Sequence, residues 1–96
     1  MKNYEEMSDF EINCRVHAEI MQISGLNSFK AKDYCNNPSY AWPIIIDNHM
    51  SIECVTVNRH AFTYRVYHSA SFTKSTHENP LRAAMIVFLK MNEDKL

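Results

Sequence analysis

The last predicted helix constrains the fold most, because it has almost no polar side. Asn79 can accept hydrogen bonds from the first free backbone N–H groups, and Pro80 suits the first helical position, where no N–H is needed. Residues 81–91 are nearly all apolar. Successive helical residues lie about 100° apart, which leaves only Arg82 and Lys90 on a narrow polar edge. A helix this apolar must be covered on most sides, so we expect it at the centre of the core.

One line of this helix is predicted to lie innermost. It is formed by Leu81, Met85 and Phe88, and we expect polar residues at these positions to unfold the protein rather than to remove an activity selectively. Arg82 is the one functional candidate on the polar edge, and a solvated side chain is the expectation for it.

Size and composition favour one domain that spans residues 1–96. The chain has 96 residues, of which 46% are hydrophobic, enough for a modest core. No apolar run approaches the ~20 residues that cross a bilayer, and the first residues do not form a signal peptide. Three widely spaced cysteines fit reduced thiols better than a disulfide framework. We therefore expect a cytoplasmic protein without a membrane partner.

A first helix is predicted from Asp9 to Ile23. Ser8 and Glu11 have the spacing of a capping box, in which each side chain satisfies a free N–H at the other position. Apolar residues then recur at helical spacing, and Gly25 is suited to the left-handed conformation that often ends a helix.

The middle of the chain gives weaker signals. Residues 27–34, around Phe29, favour a short edge strand, and residues 36–38 mark a turn. One helical turn is predicted for Ser39–Trp42, and a second short helix is predicted to restart at Pro43.

Two later runs predict a β-hairpin. Residues 50–57 alternate, and residues 61–68 are rich in β-branched and aromatic side chains, with a three-residue loop between them in which Asn58 is left-handed. Residues 69–78 are polar without a repeated pattern and are predicted to form a surface loop. The order of elements predicts an α+β fold: a small antiparallel sheet of two or three strands, packed by an N-terminal helix and the apolar C-terminal helix.

The sequence shows no motif for catalysis, metal binding or a cofactor. It has no glycine-rich phosphate loop and no pair of His or Cys residues at metal-ligand spacing on one element. We therefore expect a protein that is not an enzyme, with no cofactor and no metal. Cys14, Cys54 and Trp42 are predicted to pack in the core. Cys35, beside a turn, is predicted to be the exposed thiol, and a hydrolase that uses Cys35 with a distant histidine is the third of three functional hypotheses.

Charge suggests two candidate binding surfaces. Residues 1–24 are acidic, and such a helix can dock on a basic surface such as a nucleic-acid site. The hairpin interleaves basic and aromatic residues, a combination that can bind nucleic acid, although an ordinary strand surface is favoured because the whole chain is not basic. The acidic candidates are Glu5, Glu6, Asp9, Glu11 and Glu19, and the basic candidates are Lys30, Lys32, Arg59, Arg65 and Lys74.

Four segments together resemble a known family. They are residues 8–13 (SDFEIN), 34–38 (YCNNP), 41–45 (AWPII) and 79–85 (NPLRAAM). The combination resembles the NinX-like family of small proteins encoded by phages and prophages. The segments lie at both ends and in the middle of the chain, and residues 59–78 contribute nothing to the likeness.

The resemblance implies a phage accessory protein that acts inside a bacterial cell. Our leading hypothesis is a non-enzymatic, stoichiometric inhibitor of a bacterial defence complex, of the anti-CRISPR type, which would block target-DNA binding by a CRISPR surveillance complex. Its partner would be a host protein or ribonucleoprotein complex, contacted through the acidic residues. The alternative is a small nucleic-acid-binding accessory protein that uses the hairpin.

Overall fold

The computed structural model describes residues 3–21 and 31–93, which form three α-helices and one antiparallel sheet with the strand order β1-β2-β3. The predicted α+β class is confirmed. The elements are α1 (Asp9–Met21), α2 (Pro38–Asp47), β1 (Ser51–Asn58), β2 (Ala61–His68), β3 (Thr73–His77) and α3 (Pro80–Asn92), with 3₁₀ turns at Tyr4–Glu6 and Ser69–Ser71. Within these ranges, no helix has both the length and the apolar character needed to span a bilayer.

The apolar helix α3 is the centre of the core, as predicted. Every residue from Arg82 to Leu89 is buried, and the helix contacts β2 and β3 as well as α1 and α2. Asn79 Oδ1 accepts hydrogen bonds from the backbone N of Leu81 at 3.0 Å and of Arg82 at 3.4 Å. The predicted cap and the start at Pro80 are thus confirmed.

Helix α1 begins at the predicted residue. The backbone N of Glu11 donates to Ser8 Oγ at 3.1 Å, which is one half of the predicted capping box. Ile12 and Val16 are fully buried in the core. The predicted end at Ile23 and the cap at Gly25 lie outside the described residues.

Helix α2 is one continuous helix, so the predicted break at Pro43 is wrong. Asn37 caps it by accepting from the backbone N of Ser39 at 3.0 Å, and Pro43 lies inside. Trp42 is also not a core residue, since 56% of its surface is exposed. Ala41, Ile44 and Ile45 form the buried side of this helix, and the position of Trp42 turns it away from them.

The third strand lies where a surface loop was predicted. Residues 73–77 pair with β2, from His68 opposite Thr73 to Tyr64 opposite His77. The strand predicted near Phe29 falls partly outside the described residues, and residues 31–34 are not in a strand. The sequence does not predict strand β3 because this edge strand is polar and lacks the apolar alternation that indicates a strand. Within it only Ser75 is buried.

The hairpin of β1 and β2 is confirmed, but its loop is shorter than predicted. Asn58 pairs with Ala61, which leaves Arg59 and His60 as the turn. Among residues 3–21 and 31–93, the non-glycine residues with positive φ are His49 and Phe72, so the predicted left-handed Asn58 is wrong. Cys54, predicted to pack, is exposed on β1. The reason is that α3 contacts β2 and β3, leaving β1 at the edge.

Arg82 is buried rather than solvated. Only 7% of the residue is exposed, and Nη1 donates to Asp9 Oδ1 at 2.6 Å. Nη2 donates to the carbonyl oxygen of Met7 at 2.6 Å and to that of Glu5 at 3.3 Å. The guanidinium thereby ties the start of α3 to the N-terminal segment.

A polar network continues from this ion pair. Asn36 Nδ2 donates to Asp9 Oδ2 at 3.1 Å, and Asn79 Nδ2 donates to the carbonyl oxygen of Cys35 at 2.7 Å. The backbone N of Cys35 donates to Asn13 Oδ1 at 3.0 Å. These bonds join α1, the turn before α2 and the cap of α3.

We predict that Arg82→Met lowers the free energy of unfolding by about 2 kcal/mol, because it leaves Asp9 and two backbone carbonyls without their donor. Urea unfolding at pH 7 measures this loss. Arg82→Lys should retain part of the stability, since it keeps the charge but not the planar fork. The control is Lys90→Met, which removes a partly exposed ion pair with Glu5 and should cost less than about 1 kcal/mol. Equal losses in the Arg82 and Lys90 variants would contradict this role.

Candidate functional site

The sheet has one face covered by α3 and one face open to solvent. Val66 and Ser75 are opposite each other and buried, so their strands turn these residues toward α3. Because neighbouring residues of a strand point to opposite faces, Arg65, Tyr67 and Lys74 lie on the other face, which we call the open face. Tyr67 is directly opposite Lys74 across the two strands.

A shallow cleft lies on the open face, between the sheet and the turn that joins β2 to β3. Its volume is about 530 Å³, within the range of small-ligand sites. It is lined by Glu53, Arg65, Tyr67, His68, Ser69, Phe72, Thr73 and Lys74.

An ion pair on the open face lines the cleft. Arg65 Nη1 lies 2.6 Å from Glu53 Oε1, and about half of each side chain is exposed. Exposed pairs of this kind contribute little to stability, on the order of 0–1 kcal/mol. The pair therefore orients the guanidinium without committing all its N–H donors, and it also places one negative charge beside the cleft.

The turn between β2 and β3 holds Phe72 in an unusual position. His68 Nδ1 accepts from the backbone N of Ser71 at 3.2 Å, and Ser71 Oγ lies 2.8 Å from Thr73 Oγ1. Phe72 follows with φ 56° and ψ 31°, a left-handed conformation that disfavours side chains other than glycine by about 1 kcal/mol. Phe72 is at the same time 94% exposed. Phe72 thus has an unfavourable backbone conformation and gains no stabilisation from burial of its side chain.

The structure brings together only some of the predicted basic residues. Arg65 and Lys74 share the cleft, and Arg59 lies in the hairpin turn. Lys32 is elsewhere, with its Nζ 5.0 Å from the centre of the Tyr40 ring. Lys30 lies outside the described residues.

The predicted acidic residues serve in two different ways. Glu5 Oε2 is 2.8 Å from Lys90 Nζ, and Asp9 binds Arg82, so these two carboxylates support the fold. Burial alone would raise the pKa of each, but the hydrogen bonds and the nearby cation outweigh it, and both pKa values are lowered. Glu6 and Glu11 are exposed, whereas Glu19 is half-buried on α1. Glu5 and Glu6 belong to the 3₁₀ turn, outside the helix.

Cys35 is buried, so the predicted exposed thiol is wrong. None of its surface is accessible, because its backbone N is fixed by Asn13 and its side chain joins the core. Burial raises the pKa of Cys35 to about 12, and the negative charge of Asp9 adds to the rise. A thiol that remains protonated at neutral pH is a poor nucleophile, which argues against the hydrolase hypothesis.

The part of the chain that the structure describes contains no group of three or more His, Cys, Asp or Glu residues that could hold a metal ion. Its most distinctive site is the cleft, and sequence reasoning missed Phe72 there. One signal was present: Phe72 is a single aromatic residue within the polar segment 69–78.

A comparison with models of protein families finds a match. A family model described as "Bacteriophage P22, NinX" matches residues 3–92. Comparisons with curated proteins and with solved structures find no match.

We predict that a mild alkylating reagent at neutral pH labels Cys54 rapidly and Cys35 only after unfolding. Cys54 is exposed, whereas Cys35 is buried and its pKa is raised to about 12. Mass spectrometry of peptides after short exposure measures the two sites. Cys54→Ser should remove the rapid label, and rapid labelling of Cys35 in folded protein would restore the hydrolase hypothesis.

Proposed function

The chain belongs to the bacteriophage P22 NinX family, and from this we propose that it is a phage- or prophage-encoded accessory protein that acts by binding a host macromolecule, without catalysis. The match over residues 3–92 is the observation that carries the proposal. The buried, protonated Cys35 supports the non-enzymatic part, because it removes the thiol that the sequence offered as a nucleophile.

The specific form of this proposal is an inhibitor of a bacterial defence complex in the host cytoplasm. Complexes that capture DNA present basic surfaces, and a small acidic protein can occupy them in place of the DNA. The exposed carboxylates of Glu6 and Glu11 lie close together in the chain and suit such a contact. Glu5 and Asp9 are less suited, since Lys90 and Arg82 already neutralise them.

We predict that the purified protein, at a one-to-one ratio, reduces target-DNA binding by a purified CRISPR surveillance complex. Replacing both Glu6 and Glu11 with glutamine should restore DNA binding, because it removes the charges offered to the basic surface. Glu78→Gln, at another exposed acidic position, is the matched control. Electrophoretic mobility shift measures the bound DNA. Unchanged DNA binding at a molar excess of the protein would refute the inhibitor form.

A second candidate function is direct nucleic-acid binding. One observation favours it: Arg65, Tyr67 and Lys74 lie side by side on the open face of the sheet. Cationic and aromatic side chains on an open sheet face are the groups with which proteins neutralise phosphates and stack bases.

For this second function we predict a gel shift with nucleic acid at about 50 mM salt that weakens by about tenfold at about 200 mM. The tenfold figure assumes that about two phosphate contacts release counterions, because each contact adds about 0.7–0.9 to the slope of log affinity against log salt concentration. Fluorescence anisotropy of labelled single-stranded and duplex DNA provides the affinities. The absence of a shift with either DNA at low salt would exclude the function.

A further inference from the structure

We propose that the cleft on the open face binds one nucleotide unit, with the base stacked on Phe72 and the phosphate held by Lys74 and Arg65. This inference rests on the second candidate function and narrows it to a site and a ligand. The same chemistry is offered by a free nucleotide and by a nucleotide within a single strand.

Phe72 is the strongest indication of a ligand. An aromatic residue gains much from burial, yet Phe72 is 94% exposed and its backbone is left-handed. The hydrogen bonds among His68, Ser71 and Thr73 fix the turn that presents it. The ring therefore lies beside the cleft, where a planar group bound in the cleft can stack on it.

The other residues that line the cleft indicate which chemical class of planar ligand it would bind. Tyr67 offers a second aromatic ring, and Lys74, directly opposite it, and Arg65 supply two cations. Glu53 brings one negative charge, which Arg65 Nη1 already engages at 2.6 Å. The cleft thus pairs π faces with a net positive charge, which matches a base joined to a phosphate better than it matches an apolar ligand.

The same geometry disfavours duplex DNA. In a duplex the bases are stacked on each other, so their faces are not available to Phe72 or Tyr67. The cleft holds about 530 Å³, room for one nucleotide rather than for a duplex groove. A single strand or a free nucleotide is therefore the expected ligand.

The test measures the affinity of the full chain for a fluorescent oligothymidine of about 12 nucleotides and for the duplex that contains it. Unlabelled thymidine 5′-monophosphate is then added as a competitor. Phe72→Asn removes the ring but suits the left-handed backbone, so the thermal midpoint should not fall. We expect it to weaken single-strand binding by about 5- to 150-fold, and Phe72→Tyr to retain it. Lys74→Gln should reduce the salt slope by about 0.7.

Matched controls separate this site from nucleic-acid binding elsewhere. Phe62→Ala removes another exposed aromatic residue, and Lys32→Gln and Arg59→Gln remove cations outside the cleft. If the control substitutions weaken binding as much as Phe72→Asn and Lys74→Gln do, the cleft is not the binding site. The second candidate function would still stand. Competition by the monophosphate supports a free-nucleotide site, and binding by the strand alone supports a strand site.

Two further results would overturn the proposal. The first is equal affinity for the duplex and the single strand, since stacking requires an exposed base. The second is a concentration-dependent dimer, seen by light scattering, that Phe72→Asn dissolves, because it would assign the open face to another copy of the chain. Absence of any binding at about 50 mM salt would refute both the cleft and the second candidate function.

Discussion

The burial of Arg82 is the interaction on which the arrangement of the helices depends. An arginine that is only 7% exposed is tolerated where acceptors surround its guanidinium, and Asp9 and the carbonyls of Glu5 and Met7 accept from its two Nη groups. All three acceptors come from the N-terminal segment, so this segment must lie against the first turn of α3. That requirement fixes the position of the first turn of α1 relative to α3. Helix α1 then covers part of the apolar surface of α3.

Anchoring α3 in this way sets the division between the two faces of the sheet. The helix contacts β2 and β3, where Val66 and Ser75 are buried, and β1 is left at the edge. The charged and aromatic residues next to them in sequence are thereby placed on the opposite face. The open face is thus a consequence of strand alternation once the position of α3 is fixed.

The sequence predicts those features whose signals are local. The cap at Asn79, the apolarity of α3 and the two strands of the hairpin each have a signal within a single element, and the structure confirms them. Features that depend on distant partners were missed. Arg82 looks solvated until Asp9, 73 positions away in the chain, is known to face it. Cys35 and the polar strand β3 are likewise placed by tertiary packing, and periodicity gives no sign of that packing.

The candidate site contains Lys74, a cation for which the described residues show no ion pair. Two cations lie at the ends of the buried part of α3. Arg82 pairs with Asp9 and Lys90 pairs with Glu5, so these charges connect α3 to the N-terminal segment. Lys74 instead directs its side chain into the cleft, beside a ring that is neither buried nor in a relaxed backbone. The left-handed, exposed Phe72 therefore marks the part of this surface where the proposed nucleotide would stack.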